Sequence, residues 1–178
     1  MTDRAALLAE IRAKAVIYGQ VTLSSGQRAD WYIDLRRVLL DGAAAPIAGR
    51  VMLDVTRDLT YSAVGGLTLG ADPVAAAMMH AAAGQGRVLN SFVVRKEGKA
   101  HGLQRRIEGP DVSGQPVLAV EDTSTTGASV LAAVDALTEA GAQVVGVAVV
   151  VDRGARAEVE RRGLRYLAAF ELADLGLS

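Results

Sequence analysis

The chain reads as an α/β protein with an open, mostly parallel sheet flanked by helices. Three observations predict this. From residue 62 onward, short aliphatic segments alternate with helical ones, and parallel strands need crossover connections of that kind. The run VVGVAVVV at 144–151 lacks polar alternation, as a strand buried on both faces does, and it is far too short to span a membrane. The segment VLAVEDTSTTGAS at 117–129 passes from hydrophobic strand to two acids, a hydroxyl-rich turn, a glycine and a helix. Open α/β sheets bind ligands at such carboxyl edges.

The elements follow in order. Residues 3–15 form a helix, with Leu7, Leu8, Ile11 and Ala15 at helical spacing and Asp3 as cap. Gly19 ends it, and 21–37 is a strand or turn segment presenting hydroxyls, an aromatic pair and charges. Asp41 opens a second helix with Ile47, Val51 and Val55 on one face. A short strand at 62–65 leads into GGLTLG at 65–70, and Asp72 and Pro73 start the helix that runs through AAAMMHAAA. A strand at 89–94 precedes 96–115, which is charged, glycine-containing and poor in large apolar groups, and reads as a long mobile loop or extended hairpin. VLAV at 117–120 is a strand, and Gly127 opens a helix with Val130, Val134 and Leu137 inward and Gly141 as its C-terminal cap. After 144–151 come a short helix at 156–162 and a last strand at 165–169.

Composition narrows the function classes. A chain of 178 residues, 51% of them hydrophobic, suits a single domain over 1–178. Lys and Arg total 19 against 20 for Asp and Glu, so nothing suggests a nucleic-acid coat. The absence of Cys excludes disulfides, thiolate catalysis and Cys-ligated metals, and suits a reducing cytoplasm. The opening MTDRAALLAEIRAK is broken by charges and lacks the apolar stretch of a targeting signal. With two His and no HExxH spacing, no metal held by the protein alone is expected.

The candidate site centres on 117–129. Thr123, Ser124, Thr125 and Thr126 offer hydroxyls and backbone N–H groups to an anion, and Gly127 lets the backbone approach it closely. A phosphate at the N-terminus of the following helix, beside Ala128 and Ser129, is favoured by the helix dipole. Glu121 and Asp122 would repel that phosphate, and suit ribose hydroxyls instead. Composition alone also allows an acidic strand end followed by a capped helix. No GKS, GKT or GxGxxG is present to support a nucleoside-triphosphate or dinucleotide site. A second cluster, Arg95, Lys96, Lys99 and His101 in RKEGKAHG, places cations between glycines. It fits a segment that closes over a diphosphate, or a solvated charged loop.

EDTSTTGAS resembles the type I phosphoribosyltransferase signature position for position, with Glu121 where Asp is commoner. RKEGKAHG resembles the RKExKxHG loop of the orotate phosphoribosyltransferases through Arg95, Lys96, Glu97, Lys99, His101 and Gly102. The resemblance implies the type I phosphoribosyltransferase fold with a small N-terminal hood segment. It implies transfer of ribose 5-phosphate from 5-phosphoribosyl 1-diphosphate (PRPP) to orotate, within pyrimidine biosynthesis. Glu121 and Asp122 would hold the ribose, and 123–129 the 5-phosphate. Thr68, Leu69 and Gly70 match the diphosphate turn, and Arg95, Lys96, Lys99 and His101 reach the diphosphate, with His101 able to protonate it. Tyr32, Thr125 and Arg153 match the orotate contacts, Arg153 pairing with the carboxylate that uracil lacks. Asp34 and Arg36 match a variant of the front segment. Ser24 stands in the PRPP site where many members have Lys, and that charge is either missing or supplied by Arg28 or Arg36. Mg²⁺ would arrive on the diphosphate, and a homodimer would send loop 95–102 into the neighbouring site. The alternatives are transfer to uracil or a purine, and a nucleotide-sensing RNA-binding regulator on the same fold.

Overall fold

The computed structural model describes residues 1–22, 28–96 and 106–177, with side chains at 20–22, 28 and 29 excepted. The elements are α1 (Asp3–Glu10), β1 (Val16–Thr22), β2 (Arg28–Ile33), α2 (Arg36–Leu39), α3 (Ala44–Val55), β3 (Ala63–Leu67), α4 (Ala71–Gly84), β4 (Asn90–Val94), β5 (Ile107–Glu108), β6 (Pro116–Ser124), α5 (Ala128–Glu139), β7 (Gln143–Asp152), α6 (Arg156–Arg161) and β8 (Tyr166–Glu171). Strands β1 and β2 form an antiparallel hairpin of their own. The main sheet runs β5-β4-β3-β6-β7-β8 and is parallel except for β5.

Side-chain alternation explains why the central strands are aliphatic on both faces. Leu118 and Val120 of β6, with Ala148 and Val150 of β7, pack with Leu7, Met52 and Met78 of α1, α3 and α4. Val117, Ala119, Val147 and Val149 turn the other way, onto Val130, Val134 and Leu137 of α5 and Val159 of α6. Each face thus meets a layer of helices, leaving no solvent side for polar residues. Adjacent strands β3 and β6 send their following helices to opposite faces. Their carboxyl ends therefore open a crevice at the point where the strand order reverses.

Several boundaries differ from the sequence reading. The first helix is α-helical only to Glu10 and ends in a π-helical turn, Ile11–Ala15. Thr2 caps it, accepting the Ala5 N–H, while Asp3 pairs with Arg50 at 2.7 Å. Gly19 ends no helix; it lies inside β1, where the pairing with β2 shifts between Tyr18 and Val21. Asp41 does not open the next helix, which starts at Ala44 after Ala43; it lies in the preceding turn, its Oδ1 accepting from Ala43 N and Ala44 N at 2.9 and 3.0 Å. Asp72 is no cap: α4 starts at Ala71, and Asp72 takes the Thr68 hydroxyl at 2.7 Å. Strand β6 runs on through both acids to Ser124, and a 3-10 turn, Leu172–Leu175, follows β8. Within 96–115, Ile107 and Glu108 pair back onto Val94 and Val93, as a hairpin base does. Val112 there is buried, an apolar anchor that the charged surroundings obscure in the sequence.

Candidate active site

The crevice between β3 and β6 is a cleft of about 350 Å³ whose lining includes Tyr32, Thr68, Glu121, Asp122, Ser129 and Arg153. Glu121 and Asp122 are strand residues, held by β6–β7 pairing that continues past them to Ser124 and Asp152. Glu121 is buried and Asp122 half-buried. The Asp122 N–H donates to Glu121 Oε1 at 3.1 Å, and the Thr123 N–H to Asp122 Oδ1 at 2.6 Å. Burial, then the negative charge of Asp122, pushes the Glu121 carboxyl up to about 8, and Asp72 adds to the rise. The pair thus concentrates unneutralised acidity where a cation or hydroxyl donors would relieve it.

The turn after β3 presses against this pair. A Cβ on Gly70 would meet Glu121 Oε1 at 2.3 Å and Asp122 Oδ1 at 2.7 Å, so glycine lets the turn lie against the carboxylates without moving them. Thr68 and Leu69 continue the turn, Leu69 exposed and Thr68 bonded to Asp72. At the end of β6, Ser124 is buried and its carbonyl accepts the Arg153 N–H at 2.8 Å. Thr125 and Thr126 are exposed, and Gly127 adopts φ 79°, a left-handed conformation suited to glycine. Ala128 and Ser129 begin α5, whose first N–H groups face outward as helix geometry requires.

Residues 70–167 match the phosphoribosyl transferase domain family. The orotate phosphoribosyltransferase of Streptomyces avermitilis is 62% identical over 177 residues, covering 98% of this chain and 97% of that protein. The crystal structure of the Mycobacterium tuberculosis orotate phosphoribosyltransferase with Fe(III) dicitrate superposes with a TM-score of 0.90 at 57% identity, over 98% of this chain and 99% of that one. The same enzyme in complex with PRPP superposes with a TM-score of 0.86 at 52% identity, with the same coverage. The chain belongs to the orotate phosphoribosyltransferase family.

Of the residues that the family resemblance singles out, the fold gathers Tyr32, Thr68, Leu69, Gly70, Lys96, Glu121, Asp122, Thr123, Ser129 and Arg153 around one cleft. Arg95 lies just outside, in a recess shared with Thr68, Lys96 and Glu108. It pairs with Glu108 at 3.8 Å across the β4–β5 hairpin. Arg36 lines the cleft but is engaged by Asp34 at 2.7 Å. Ser24, Lys99 and His101 lie outside the described residues, as do Glu97 and Gly102.

Arg153 follows the end of β7 with no salt bridge: among the described residues it has no ion-pair partner, and its Nε is buried without a hydrogen bond. The neighbouring Asp152 does the capping, accepting from Gly154 N, Ala155 N and the Tyr166 hydroxyl, each at 2.9 Å. Burial and this carboxylate push the Tyr166 hydroxyl pKa upward. Sequence reasoning missed Trp31, whose ring lies 5.5 Å from the Arg153 guanidinium. The available signal was its place beside Tyr32 as the one Trp in the chain. It also missed Asp72 as the partner of Thr68, a spacing of four that a helix cap conceals. No described helix is long and apolar enough to cross a membrane.

Proposed function

We propose that this chain joins orotate to the ribose 5-phosphate of PRPP, giving orotidine 5'-phosphate and diphosphate. The observation that carries the reading is the convergence, in one cleft, of a buried Glu121 beside a half-buried Asp122, the start of α5, and an arginine with no ion-pair partner among the described residues. The 5-phosphate sits on the turn 123–129, held by outward N–H groups and hydroxyls. Glu121 and Asp122 take the ribose hydroxyls; the charge of Asp122, joined by that of Glu121 once hydroxyl donors and a cation favour its ionised form, opposes the positive charge that grows on the anomeric carbon. Arg153 pairs edge-on with the orotate carboxylate, Tyr32 lies against the ring, and Thr125 bonds its polar edge. In the transfer, the pyrimidine nitrogen gives up its proton, to solvent or to the departing diphosphate, and its electron pair forms the new bond to the anomeric carbon. The carbon–oxygen bond to diphosphate breaks, and its electrons leave with the diphosphate. No side-chain nucleophile is required.

The diphosphate lies along Thr68, Leu69 and Gly70, with Arg95, Lys96, Lys99 and His101 supplying positive charge and His101 able to protonate it. Glu121 and Asp122 are hard oxygen donors, but no group of three or more such side chains among the described residues could hold a metal by itself, so the pair fits only Mg²⁺ shared with the substrate. Glu121 and Asp122 would hold its water shell, and the ion would neutralise diphosphate charge. We place the enzyme in the cytoplasm, as a homodimer whose 95–102 segments exchange between sites, without nucleic-acid or membrane partners. Incubation with PRPP, Mg²⁺ and either orotate, uracil or adenine tests the reading. Ultraviolet absorbance should fall only with orotate, matched by diphosphate release; consumption of another base, or of none, would overturn it.

A further inference from the structure

Trp31 and Arg153 come from different parts of the fold. Trp31 belongs to β2 of the front hairpin, and Arg153 follows the last residue of β7 in the main sheet. The guanidinium carbon sits 5.5 Å from the centre of the Trp31 ring. A guanidinium offers two kinds of surface: flat faces attracted to an aromatic ring, and a rim of N–H donors shaped for a carboxylate. A guanidinium that turns a face to a ring keeps the donors of its rim free. Among the described residues no carboxylate pairs with Arg153, and its Nε lacks a hydrogen-bond partner. It lines the cleft with Tyr32, the residue next to Trp31. Trp31 also packs against the core beneath the hairpin, which anchors the ring.

We propose that Trp31 is a positioning residue for base recognition, fixing the plane of the Arg153 guanidinium so that its rim meets the carboxylate of the base. The inference rests on the reading of Arg153 as the carboxylate clamp. It has a structural consequence: the base site is complete only when the hairpin is seated on the sheet, because the arginine comes from one and its backing ring from the other. Tryptophan suits the position because its ring attracts cations more strongly than Phe or Tyr.

The test is steady-state kinetics on Trp31→Leu, Trp31→Phe, Arg153→Leu and the double variant Trp31→Leu/Arg153→Leu. Trp31→Leu should raise the KM for orotate about tenfold and leave that for PRPP nearly unchanged, while Trp31→Phe should recover most of the loss. In the Arg153→Leu background, Trp31→Leu should add nothing further, since the residue it positions is gone. An equal rise in both KM values, or the same tenfold loss persisting without Arg153, would overturn the proposal. If Arg153→Leu alone leaves the orotate KM unchanged, the clamp reading fails and this inference with it. If Arg153→Leu raises it and Trp31→Leu does not, this inference alone fails. Should Trp31→Leu not fold, Trp31→Phe must by itself raise the orotate KM about twofold with PRPP unaffected; no change there would equally overturn it.

Discussion

Gly70 lies directly against Glu121, with space for no Cβ: one placed there would stand 2.3 Å from Oε1. The turn after β3 therefore sits against the carboxylate ends of the β6 acid pair, and a side chain at position 70 would push those carboxylates aside. Gly70→Ala should keep the fold, because the turn is at the sheet edge, but should displace the carboxylates. Turnover should fall on the order of 10²-fold, as misplacement of reacting groups by about an ångström does. Circular dichroism with an activity assay checks it, and unchanged turnover would contradict the fit.

The burial of Glu121 makes stability depend on pH. Its carboxyl is raised from 4.5 to about 8, so between those values the folded chain holds a proton that the unfolded chain has lost. Stability from this group is present below about 4.5 and is lost as pH rises through about 8. Glu121→Gln mimics the protonated form. Thermal melts of the ligand-free protein should show the variant close to wild type below about pH 4.5, increasingly more stable than wild type as pH rises from there toward 8, and ahead by a constant margin above it. A difference in Tm that does not change with pH would contradict this.

Arg153 carries the choice of base. Arg153→Ala should weaken orotate by roughly 2–5 kcal/mol, the cost of leaving a charged partner unpaired, and leave PRPP affinity nearly intact. Calorimetric titration with each substrate checks it; equal weakening of both would show that Arg153 is not the clamp.

Much of this was legible in the sequence because the relevant signals are local. VLAVEDTSTTGAS encodes strand, acids, turn and helix in one stretch, and all of them fall at one sheet edge. The aliphatic run at 144–151 announced a strand covered on both faces, and β7 is such a strand. What escaped depends on pairs distant in the chain or hidden by competing local rules. Nothing near Trp31 points to Arg153, because hairpin seating brings them together. Asp72 before Pro73 has the composition of a helix cap, yet its carboxylate goes to Thr68 because the helix has already begun at Ala71. Gly19 looked like a helix stop because the π-helical turn at Ile11–Ala15 ends the helix sooner and without glycine.

The proposed dimer can be tested by mixing two inactive variants, Lys99→Ala and Asp122→Asn. If Lys99 acts in the neighbouring site, a mixed dimer has one site lacking both groups and one with both. At one-to-one exchange about half the dimers are mixed, so activity should recover toward about a quarter of wild type. With exchange verified by mass, no recovery would place Lys99 in its own subunit's site.

The most direct test of the account is the rate of orotate consumption by wild type and by Asp122→Asn, side by side, at saturating PRPP and Mg²⁺. Wild type should turn over, and the variant should retain its fold while losing at least ~10²-fold in turnover, as expected for one strong charge removed from a preorganised site. A wild type that leaves orotate untouched, or a folded Asp122→Asn that keeps pace with it, would contradict the assignment of this cleft.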